Sequence, residues 1–477
     1  MRTETYDLNG DAFGLAVLGG GSAGFAAAIR AAEEGVRVAL INSGTIGGTC
    51  VNVGCIPSKA LIRAGVAHHD RSHHPFDGIA TEQGDVDWDA VRSQKDHLVE
   101  ALRQSKYVDV LGSYPTVSLF EQQARLEPGG SVRLDDGTLI SAPRVVVTTG
   151  ASPLIPTIPG LSEVNYLDST SIMALSELPP SLIVLGAGSV GLELAQAYAR
   201  FGVEVTILSR SQLILSKADP DLGTGLMDYL RREGITIHAG LNITKVEEIG
   251  DDHVVHFESQ GGQARSVTAD QLLVALGRRP NTSGMGLDEA GVTLGPGGEI
   301  VVNEFMQTSN PHVYAAGDVT GGLMHVYVAA QDAALAAGNA LRGNTKAVDR
   351  RAVPEVVFTD PAVAFVGLTA EEAGAQGIEA ITSLLPLEYV PRSLVARDTR
   401  GFIKLVADAA TRRIIGAQIL ASQASEMIME PALAVRFGLT IEDLTSTLHP
   451  YLTLAEGIKL AALTFDKDVA ELSCCAA

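Results

Sequence analysis

The stretch Leu15 to Glu34, LAVLGGGSAGFAAAIRAAEE, decides the fold of this chain. Its first four residues predict a buried β-strand, the glycines Gly19, Gly21 and Gly24 predict a tight turn, and the Ala-rich run that follows predicts a helix. A second strand, Val36 to Ile41, comes next. This order predicts a βαβ unit in which the N–H groups and the positive dipole end of the helix face a dinucleotide pyrophosphate.

A second copy of this pattern lies near the middle of the chain. The strand Leu182 to Leu185 leads into a glycine turn and a helix that runs to about Phe201, and the strand Val203 to Leu208 follows. The glycines of this turn are Gly186, Gly188 and Gly191. One such turn is a weak signal, but two in the correct context favour a flavin and a nicotinamide that exchange electrons. Two NAD sites or a degenerate repeat are the alternative.

Length, charge and hydropathy narrow the class of protein. A chain of 477 residues predicts several domains of roughly 100 to 200 residues each. The formal net charge of −21 at pH 7 argues against nucleic acid as a partner, because binding to phosphates requires a basic face. No apolar stretch reaches the length of a membrane span, and residues 1–14 lack the pattern of an export signal. We therefore expect a cytoplasmic protein without membrane insertion.

The chain contains four cysteines, which form two close pairs near its opposite ends. We call Cys50 and Cys55 the redox pair, and Cys474 and Cys475 the tail pair. In a reducing compartment, such pairs are more often redox-active or metal-binding than structural. Both pairs are therefore candidate sites for redox chemistry or for a soft metal ion.

The redox pair lies in residues 47–59, GGTCVNVGCIPSK, which lead into a predicted helix. Four intervening residues allow the sulfurs to meet, and a helix N-terminus lowers the pKa of a thiol. This segment resembles the redox-active motif of the pyridine nucleotide-disulfide oxidoreductases. The resemblance implies that Cys55 faces the flavin and that Cys50 is the outer, exchanging thiol. It also implies that Lys59 lies near the flavin and pairs with Glu193.

The resemblance covers essentially the whole chain. It implies a glutathione-reductase-like α/β fold with two Rossmann-like dinucleotide-binding domains, for FAD and NADPH, and a C-terminal α+β dimerisation domain. Alternating strands and helices from Val353 onward agree with the last of these. The predicted domains are residues 1–155 (FAD-binding, first part), 156–280 (NADPH-binding), 281–350 (FAD-binding and central part), 351–465 (dimerisation) and 466–477 (a mobile tail with the tail pair).

Family members contact FAD mainly through the backbone, with one aspartate on the ribityl chain. Besides Lys59, the resemblance places these contacts at Gly19, Gly21, Gly24, Gly44, Gly48, Thr49, Ala124, Thr149, Gly150, Asp318 and Val326. One position departs from the family. The second strand ends at Asn42, where a glutamate usually accepts bonds from the ribose hydroxyls. Asn42 can accept one such bond but lacks the charge, so FAD affinity is the property we expect it to affect.

The second nucleotide is predicted from the end of the strand that follows the second glycine turn. Residues 207–210 read Ile-Leu-Ser-Arg and offer no acidic side chain to a ribose 2′-hydroxyl. Arg210 is placed instead to bind a 2′-phosphate. We therefore expect NADPH rather than NADH, with a surface arginine of no such role as the alternative.

The residues at 451–456, YLTLAE, bear on the substrate. They lie where disulfide-reducing members of the family carry HPTxxE, so Tyr451 replaces the histidine while Glu456 is kept. Disulfide exchange needs an acid–base group that titrates near the working pH, which histidine provides and tyrosine does not. His449, two residues upstream, is the alternative acid–base group.

The tail pair is the second feature that bears on the substrate. Thiolates are the ligands that a soft ion such as Hg(II) prefers. Together with Tyr451, the tail pair resembles the mercuric reductases, a branch of the family. The resemblance implies a homodimer in which the tail pair of one subunit passes Hg(II), held as a thiol complex, to the redox pair of the other, where it is reduced to Hg(0). Tyr451 and Glu456 would line this site.

Two other functions stay open at this stage. A thioredoxin-reductase-like disulfide reductase can also end in paired cysteines, although such enzymes keep the HPTxxE histidine. A mercury-binding buffer would take up the metal without consuming NADPH, but it would leave both dinucleotide turns without a use. The sequence has no GMTCxxC segment of the kind that precedes some mercuric reductases, so we expect the catalytic core alone.

Overall fold

The computed structural model describes residues 12–82, 84–128 and 130–469. These residues form two compact units. The first contains the described residues within Met1–Ala60, Ala90–Leu154 and Gly277–Val348, and the second contains those within Leu61–Asp89, Ile155–Leu276 and Asp349–Ala477. The finer division into five segments made above stays a prediction. In the described ranges, no helix is both long and apolar enough to cross a membrane.

The first unit is built around a parallel sheet with the strand order β17-β7-β1-β2-β3, and smaller antiparallel sheets, β4-β5-β6 and β8-β16, accompany it. Elements are numbered along the whole chain. Those of this unit, two of them shared with the second unit, are β1 (Leu15–Leu18), α1 (Ser22–Glu33), β2 (Val38–Ile41), α2 (Gly48–Val53), the start of α3 (Cys55–His73), most of α4 (Trp88–Arg103), a π-helix (Gln104–Val108), α5 (Asp109–Gly112), β3 (Val117–Phe120), β4 (Ala124–Leu126), β5 (Val132–Leu134), β6 (Leu139–Ile140), β7 (Val145–Val147), β8 (Ala151–Pro153), β16 (Arg278–Pro280), β17 (Val313–Ala315), a 3-10 helix (Asp318–Thr320) and α8 (Val326–Arg342).

Alternate residues of β1 face two separate cores. Leu15 and Val17 pack in one core with residues of α1 and α8, whereas Ala16 and Leu18 pack in another with residues of β4, β5 and β6. Because both faces are covered, every residue of β1 is buried, as is typical of a central parallel strand. The carboxyl end of β1, and the glycine turn that follows it, therefore have a fixed position.

The second unit contains a parallel sheet with the order β11-β10-β9-β15, a meander β12-β13-β14 and an antiparallel sheet with the order β18-β19-β22-β21-β20. Its further elements are 3-10 helices (Leu161–Glu163, Ile172–Ala174 and Leu387–Tyr389), β9 (Ser181–Leu185), α6 (Ser189–Arg200), β10 (Glu204–Ser209), α7 (Pro220–Arg232), β11 (Thr236–Ala239), β12 (Leu241–Ile249), β13 (Asp252–Ser259), β14 (Ala264–Ala269), β15 (Gln271–Val274), β18 (Glu355–Val357), β19 (Ala362–Gly367), α9 (Ala370–Ala375), β20 (Ala380–Pro386), α10 (Pro391–Ala396), β21 (Phe402–Asp408), β22 (Ile414–Ala421), α11 (Ala424–Met427), α12 (Met429–Phe437), α13 (Ile441–Ser446) and α14 (Glu456–Leu463).

The predicted duplication is confirmed. Strands β1 and β2 pair in parallel around α1, and β9 and β10 pair in parallel around α6. The predicted change after Val353 is confirmed by the antiparallel pairing of β18 to β22. The strand predicted from Val36 begins only at Val38. The reason is that the N–H groups of Gly35 and Val36 donate to the carbonyl oxygens of the last turn of α1 and so end that helix.

Trp88 is the single tryptophan of the chain and lies in the second unit. Its buried ring has its centroid 5.8 Å from that of Tyr198 and 5.4 Å from that of Phe201. Its indole N–H donates to the carbonyl oxygen of Leu175 at 2.9 Å. The indole is thereby fixed against the C-terminal end of α6.

A buried charge network joins α6 to the antiparallel sheet within the second unit. The side chain of Arg200 is 3% exposed and lies 2.8 Å from the carboxylate of Glu233 and 2.9 Å from that of Asp360. Arg400 approaches Asp360 at 2.8 Å. Because a buried charge without a partner is costly, these contacts hold the end of α6 against the turn between β18 and β19.

We expect Arg200→Met to lower the free energy of unfolding of this unit by about 2 to 4 kcal/mol. Glu233 and Asp360 would lose a buried cation, and Arg400 would compensate only in part. Arg351→Met is the matched control, because Arg351 is 75% exposed in its ion pair with Asp349 and surface pairs contribute little. Thermal unfolding followed by circular dichroism measures both variants, and equal midpoints would contradict this account.

Candidate active site

The glycine turn after β1 depends on two approaches that exclude a side chain. Gly19 has φ of +113°, and a Cβ there would lie 2.4 Å from the carbonyl oxygen of Thr148. A Cβ on Gly24 would lie 1.8 Å from the carbonyl oxygen of Gly19. The hydroxyl of Thr148 donates to the carbonyl oxygens of Leu18 and Gly19. The turn thus leaves no room for a side chain at Gly19 or Gly24. α1 begins at Ser22, between these two glycines.

Both dinucleotide helices begin without a side-chain cap. The N-cap residues are Gly21 for α1 and Gly188 for α6, and neither first turn contains an acidic residue. By contrast, α7, α9 and α13 are capped by the side chains of Asp219, Thr369 and Thr440. Uncapped N–H groups at the positive end of a helix dipole suit an anion. The two helix starts are therefore compatible with the pyrophosphates of FAD and NADPH.

The side-chain amide of Asn42 makes hydrogen bonds to the glycine turn after β1 and to the loop after β2. Its side-chain oxygen accepts a hydrogen bond from the N–H of Gly20 at 2.9 Å, and its amide nitrogen donates to the carbonyl oxygen of Gly44. A carboxylate at this position could not donate to Gly44. Asn42 thus lacks the charge of the family's glutamate but makes a second hydrogen bond within the loop. Its effect on FAD affinity stays a prediction.

Other predicted FAD contacts follow neighbouring parallel strands. Thr149 and Gly150 come after β7, and Asp318 comes after β17, so they share with Gly19 the carboxyl edge of the sheet. Burial raises the pKa of Asp318. A half-buried carboxyl group at this edge suits hydroxyl ligands such as those of a ribityl chain. The remaining predicted contacts are Gly44 in the loop after β2, Gly48 and Thr49 in the first turn of α2, Ala124 at the start of β4 and Val326 at the start of α8.

The cysteines of the redox pair lie on consecutive helices. Cys50 is in α2, and Cys55 is the first residue of α3. Both are partly buried. The Cys50 thiol hydrogen-bonds to Cys55, and the positive charge of Lys59 acts on it as well. The structure therefore holds the two sulfurs in contact and Lys59 within electrostatic reach.

The two sulfurs have different proton affinities. The hydrogen bond to Cys55 and, after it, burial raise the pKa of the Cys50 thiol far above its usual range, and Lys59 lowers it by a smaller amount. Cys50 therefore keeps its proton when Cys55 is ionised. Cys55 begins the 19-residue helix α3, whose dipole favours a thiolate there. The contact therefore favours a pair in which the proton lies on Cys50.

Sequence reasoning missed four residues around the redox pair. These are Ser22, Asn52, Arg103 and Tyr107. Arg103 ends α4, and Tyr107 lies in the π-helix that follows it. No spacing rule connects positions 103 and 107 with positions 50 and 55, because about 50 residues separate them along the chain and only the folded first unit brings them together. Asn52 was visible between the cysteines but had no assigned role.

In the second unit, Gly186 and Gly191 repeat the close approach made by the first turn. Gly186 has φ of +109°, and a Cβ there would lie 2.4 Å from the carbonyl oxygen of Ala275. A Cβ on Gly191 would lie 2.4 Å from the carbonyl oxygen of Gly186. The second glycine turn therefore has the same backbone requirement as the first.

Arg210 follows β10 and is exposed. The loop after it returns to the glycine turn, because the N–H of Leu215 donates to the carbonyl oxygen of Ala187 at 3.0 Å. A cavity of about 230 Å³ lies in this loop and is lined by residues 211–216, 218 and 220. Arg210 thus directly precedes the residues that line this cavity.

Glu193, the predicted partner of Lys59, lies in α6. Its side chain is buried, and its carboxylate accepts a hydrogen bond from the N–H of Phe358 at 2.9 Å. The contact fixes the carboxylate against the end of β18. The pairing of Lys59 with Glu193 itself stays a prediction.

Tyr451 and Glu456 lie at the start of α14. Tyr451 is 53% exposed, and the carboxylate of Glu456 accepts a hydrogen bond from the N–H of Leu452 at 3.2 Å. His449, the alternative acid–base group, has a side chain only 5% exposed, with its Nε2 2.7 Å from the carboxylate of Glu430. The exposed side chain in this segment is therefore the phenol and not the imidazole.

The tail pair, Cys474 and Cys475, lies outside the described residues. The described start of the predicted tail is attached to the second unit, since Asp466 lies 2.6 Å from Arg412 and Val469 packs against the core. Within residues 12–469, positions 83 and 129 aside, no group of three or more His, Cys, Asp or Glu side chains is arranged to bind a metal ion. The redox pair is thus the candidate there for a soft ion held by two sulfurs.

The comparison with known proteins agrees with this geometry. Residues 13–333 match the family described as pyridine nucleotide-disulphide oxidoreductase, and residues 353–462 match its dimerisation domain. The mercuric reductase of Lysinibacillus sphaericus is 45% identical over 469 residues, which are 98% of this chain and 85% of the relative. The mercuric reductase of Streptomyces lividans is 44% identical over 472 residues, with 97% of this chain and 98% of the relative covered.

Solved structures give the same grouping. The Cu(II) complex of the HOCl-induced flavoprotein disulfide reductase RclA from Escherichia coli is 31% identical, has a TM-score of 0.83 and covers 93% of this chain and 98% of its own. The two matched segments contain both glycine turns, the redox pair and the antiparallel sheet. The chain belongs to the pyridine nucleotide-disulphide oxidoreductase family.

Proposed function

We propose that this chain is an FAD-dependent mercuric reductase in which NADPH supplies two electrons to Hg(II) held by the redox pair. The balance is NADPH + Hg(II) → NADP⁺ + H⁺ + Hg(0). The observation that carries the proposal is the hydrogen-bond contact of Cys50 with Cys55, because it brings together two sulfur ligands of the kind that soft metal ions select. The identity of 45% and 44% to relatives named mercuric reductase supports Hg(II) as the ion.

Bound FAD relays electrons between the nicotinamide and the redox pair. The chain's own part is to hold the cofactors: the uncapped start of α1 binds the FAD pyrophosphate, Asp318 binds the ribityl chain, and the uncapped start of α6 binds the NADPH pyrophosphate. Arg210 binds the 2′-phosphate. Lys59 and Glu193 pair beside the flavin.

Uptake of the metal is an exchange of thiolates. The Cys55 thiolate displaces one thiolate from the incoming Hg(II) complex, and the Cys50 sulfur then displaces the second. The Cys50 proton passes to a departing thiolate, so two sulfur–mercury bonds break and two form. Because its pKa is raised, the Cys50 thiol keeps this proton until the metal arrives.

The acid–base groups support metal reduction over disulfide reduction. A disulfide reductase needs a proton donor that titrates near neutral pH, and the exposed side chain at the family's histidine position is Tyr451. The His449 ring is enclosed against Glu430. Tyr451 and Glu456 are therefore assigned to lining the metal's path.

An apolar stripe on α12 supports the homodimer. Met429, Leu433 and Phe437 recur at intervals of four residues and are 51%, 48% and 69% exposed. Such a stripe on one helix face is typical of a surface that a partner covers, and it lies in the segment that matches the dimerisation domain. In the homodimer, the tail pair of one subunit delivers Hg(II) to the redox pair of the other. We place this reaction in the cytoplasm, where NADPH is available and thiols stay reduced.

The test of the function is NADPH oxidation by the purified flavoprotein with HgCl₂ in excess thiol, with trapping of mercury vapour. We expect continuous oxidation that depends on Hg(II) and yields one Hg(0) per NADPH. Oxidation that stops after a single stoichiometric amount would indicate a buffer. Oxidation only with disulfide substrates would indicate a disulfide reductase.

Replacing both cysteines of the tail pair by alanine should reduce Hg(II) turnover by about tenfold or more when competing thiol is abundant. The tethered pair raises the effective concentration of the metal at the redox pair, an advantage that dilute Hg(II) in excess thiol makes visible. Ser473→Ala is the matched control, and both variants should keep the flavin absorption spectrum. Unchanged turnover at high thiol would remove the delivery role.

Arg210→Leu should raise the KM for NADPH by about 10- to 100-fold, because charge-assisted hydrogen bonds to a phosphate would be lost. The KM for NADH should change little, since NADH lacks that phosphate. Arg265→Leu, a change at an exposed arginine of β14, is the control for loss of surface charge. Equal effects of Arg210→Leu on both nucleotides would contradict the assignment.

A further inference from the structure

The helix that carries Cys50 cannot hold itself in place. α2 has six residues, its N-cap Gly47 provides no side-chain hydrogen bond, and Gly54 follows its last residue. Helices shorter than about 12 residues are marginal in water without outside contacts. The position of the Cys50 sulfur therefore depends on what anchors α2 from elsewhere in the first unit.

The first anchor is the side chain of Asn52, between the two cysteines. Its amide nitrogen donates to the carbonyl oxygens of Ile46 at 2.8 Å and Gly48 at 2.9 Å. Its amide oxygen accepts a hydrogen bond from the guanidinium of Arg103 at 3.1 Å. Asn52 thus fastens α2 to the loop before it, and Arg103 fastens Asn52 to the end of α4.

The second anchor is Tyr107, one turn further along in the π-helix. Its ring lies edge-on to Phe25 with a centroid separation of 4.7 Å, and a Cβ on Gly47 would lie 3.3 Å from it. Its hydroxyl lies 2.9 Å from that of Ser22, the first residue of α1. Tyr107 therefore fills the space between the start of α1 and the start of α2.

Tyr107 is also within electrostatic reach of the redox pair. Burial is the main cause that raises the pKa of its phenol, and the charges of Cys50 and Cys55 raise it further. π-helical turns are rare and are frequently found at functional sites. The π-helix here brings a half-buried phenol beside the helix that carries the exchanging thiol.

We propose that Arg103 and Tyr107 are positioning residues, which hold α2 so that the Cys50 thiol stays in hydrogen-bond contact with Cys55. Arg103 acts through Asn52, whereas the positive charge that acts on the thiol itself is that of Lys59. If either anchor is removed, α2 moves, the contact between the sulfurs lengthens, and the Cys50 sulfur becomes more accessible to solvent. The inference rests on the redox pair being the reactive pair of the proposed function, but it does not depend on which metal or disulfide is reduced.

The test is the rate at which iodoacetamide alkylates Cys50 in the NADPH-reduced holoenzyme at pH 7, measured on the isolated peptide by mass spectrometry. In Arg103→Met, loss of the hydrogen bond to Asn52 should release α2 and expose the Cys50 sulfur, so we expect the alkylation rate to rise about tenfold, as for the loss of one charge-assisted hydrogen bond. Glu100→Gln is the matched control. Glu100 is the other partner of Arg103 and is 61% exposed, so this change leaves the bond to Asn52 in place and should leave the rate unchanged.

Tyr107→Phe tests the second anchor without removing the ring. It deletes the hydroxyl contact with Ser22 and keeps the packing on Phe25 and Gly47, so we expect a smaller rise of about two- to threefold, as for the loss of one neutral hydrogen bond. Each variant must keep full flavin absorption and an unchanged thermal midpoint. A general loss of structure would change these two measurements, whereas loss of the positioning role changes the alkylation rate of Cys50 alone. Wild-type alkylation in Arg103→Met with full flavin would overturn the proposal. If Arg103→Met does not retain the flavin, the alkylation rates of Arg103→Lys and Tyr107→Phe are measured instead. Wild-type rates in both of these variants would overturn the proposal. No step of this test uses mercury, so it is independent of the test of the function.

Discussion

The constraint on which the rest of the first unit depends is the approach of backbone to backbone at Gly19 and Gly24. A Cβ at Gly24 would lie inside the van der Waals radius of a carbonyl oxygen, so the helix can start where it does only because that atom is absent. Three neighbouring features depend on the start of α1. The uncapped N–H groups of α1 face the anion position, the loop that Asn42 closes returns beside it, and α2 lies against the same turn, where Gly48 faces Gly21.

The two cysteines of the redox pair differ in how their helices are held. Cys55 stands at the first position of a long helix, and Cys50 stands in a helix too short to be stable alone. The helix dipole therefore favours charge on one sulfur, while contacts from α4 and the π-helix decide where the other sulfur lies. A thiolate and a thiol in contact form a ligand pair that can accept a soft ion and release a single proton.

The features that could be predicted from the sequence are those whose residues lie close together along the chain. The glycine turns and the apolar strands are local, so the two βαβ units, and the antiparallel sheet after Val353, could be predicted to within about two residues. The contacts that hold the site are not local. Arg103 meets Asn52 across 51 positions, and Phe358 meets Glu193 across 165, and no periodicity or motif connects them. Asn42 was recognised as a departure from the family, but its bond to Gly44 required the folded loop. His449 stood as an alternative acid–base group because the sequence does not show its exposure, and the folded chain encloses its ring against Glu430.

The position of Trp88 has an optical consequence. Because the chain has one indole, its indole emission comes from one place, against Tyr198 and Phe201 at the end of α6, the helix whose start is the proposed site of the nicotinamide nucleotide. The emission therefore reports the packing of the second unit without a contribution from indoles elsewhere. A flavin absorbs in the region where an indole emits, so the same residue can act as a donor for energy transfer. The polypeptide thus carries an intrinsic fluorescent label that can follow nucleotide binding and cofactor loss in one sample.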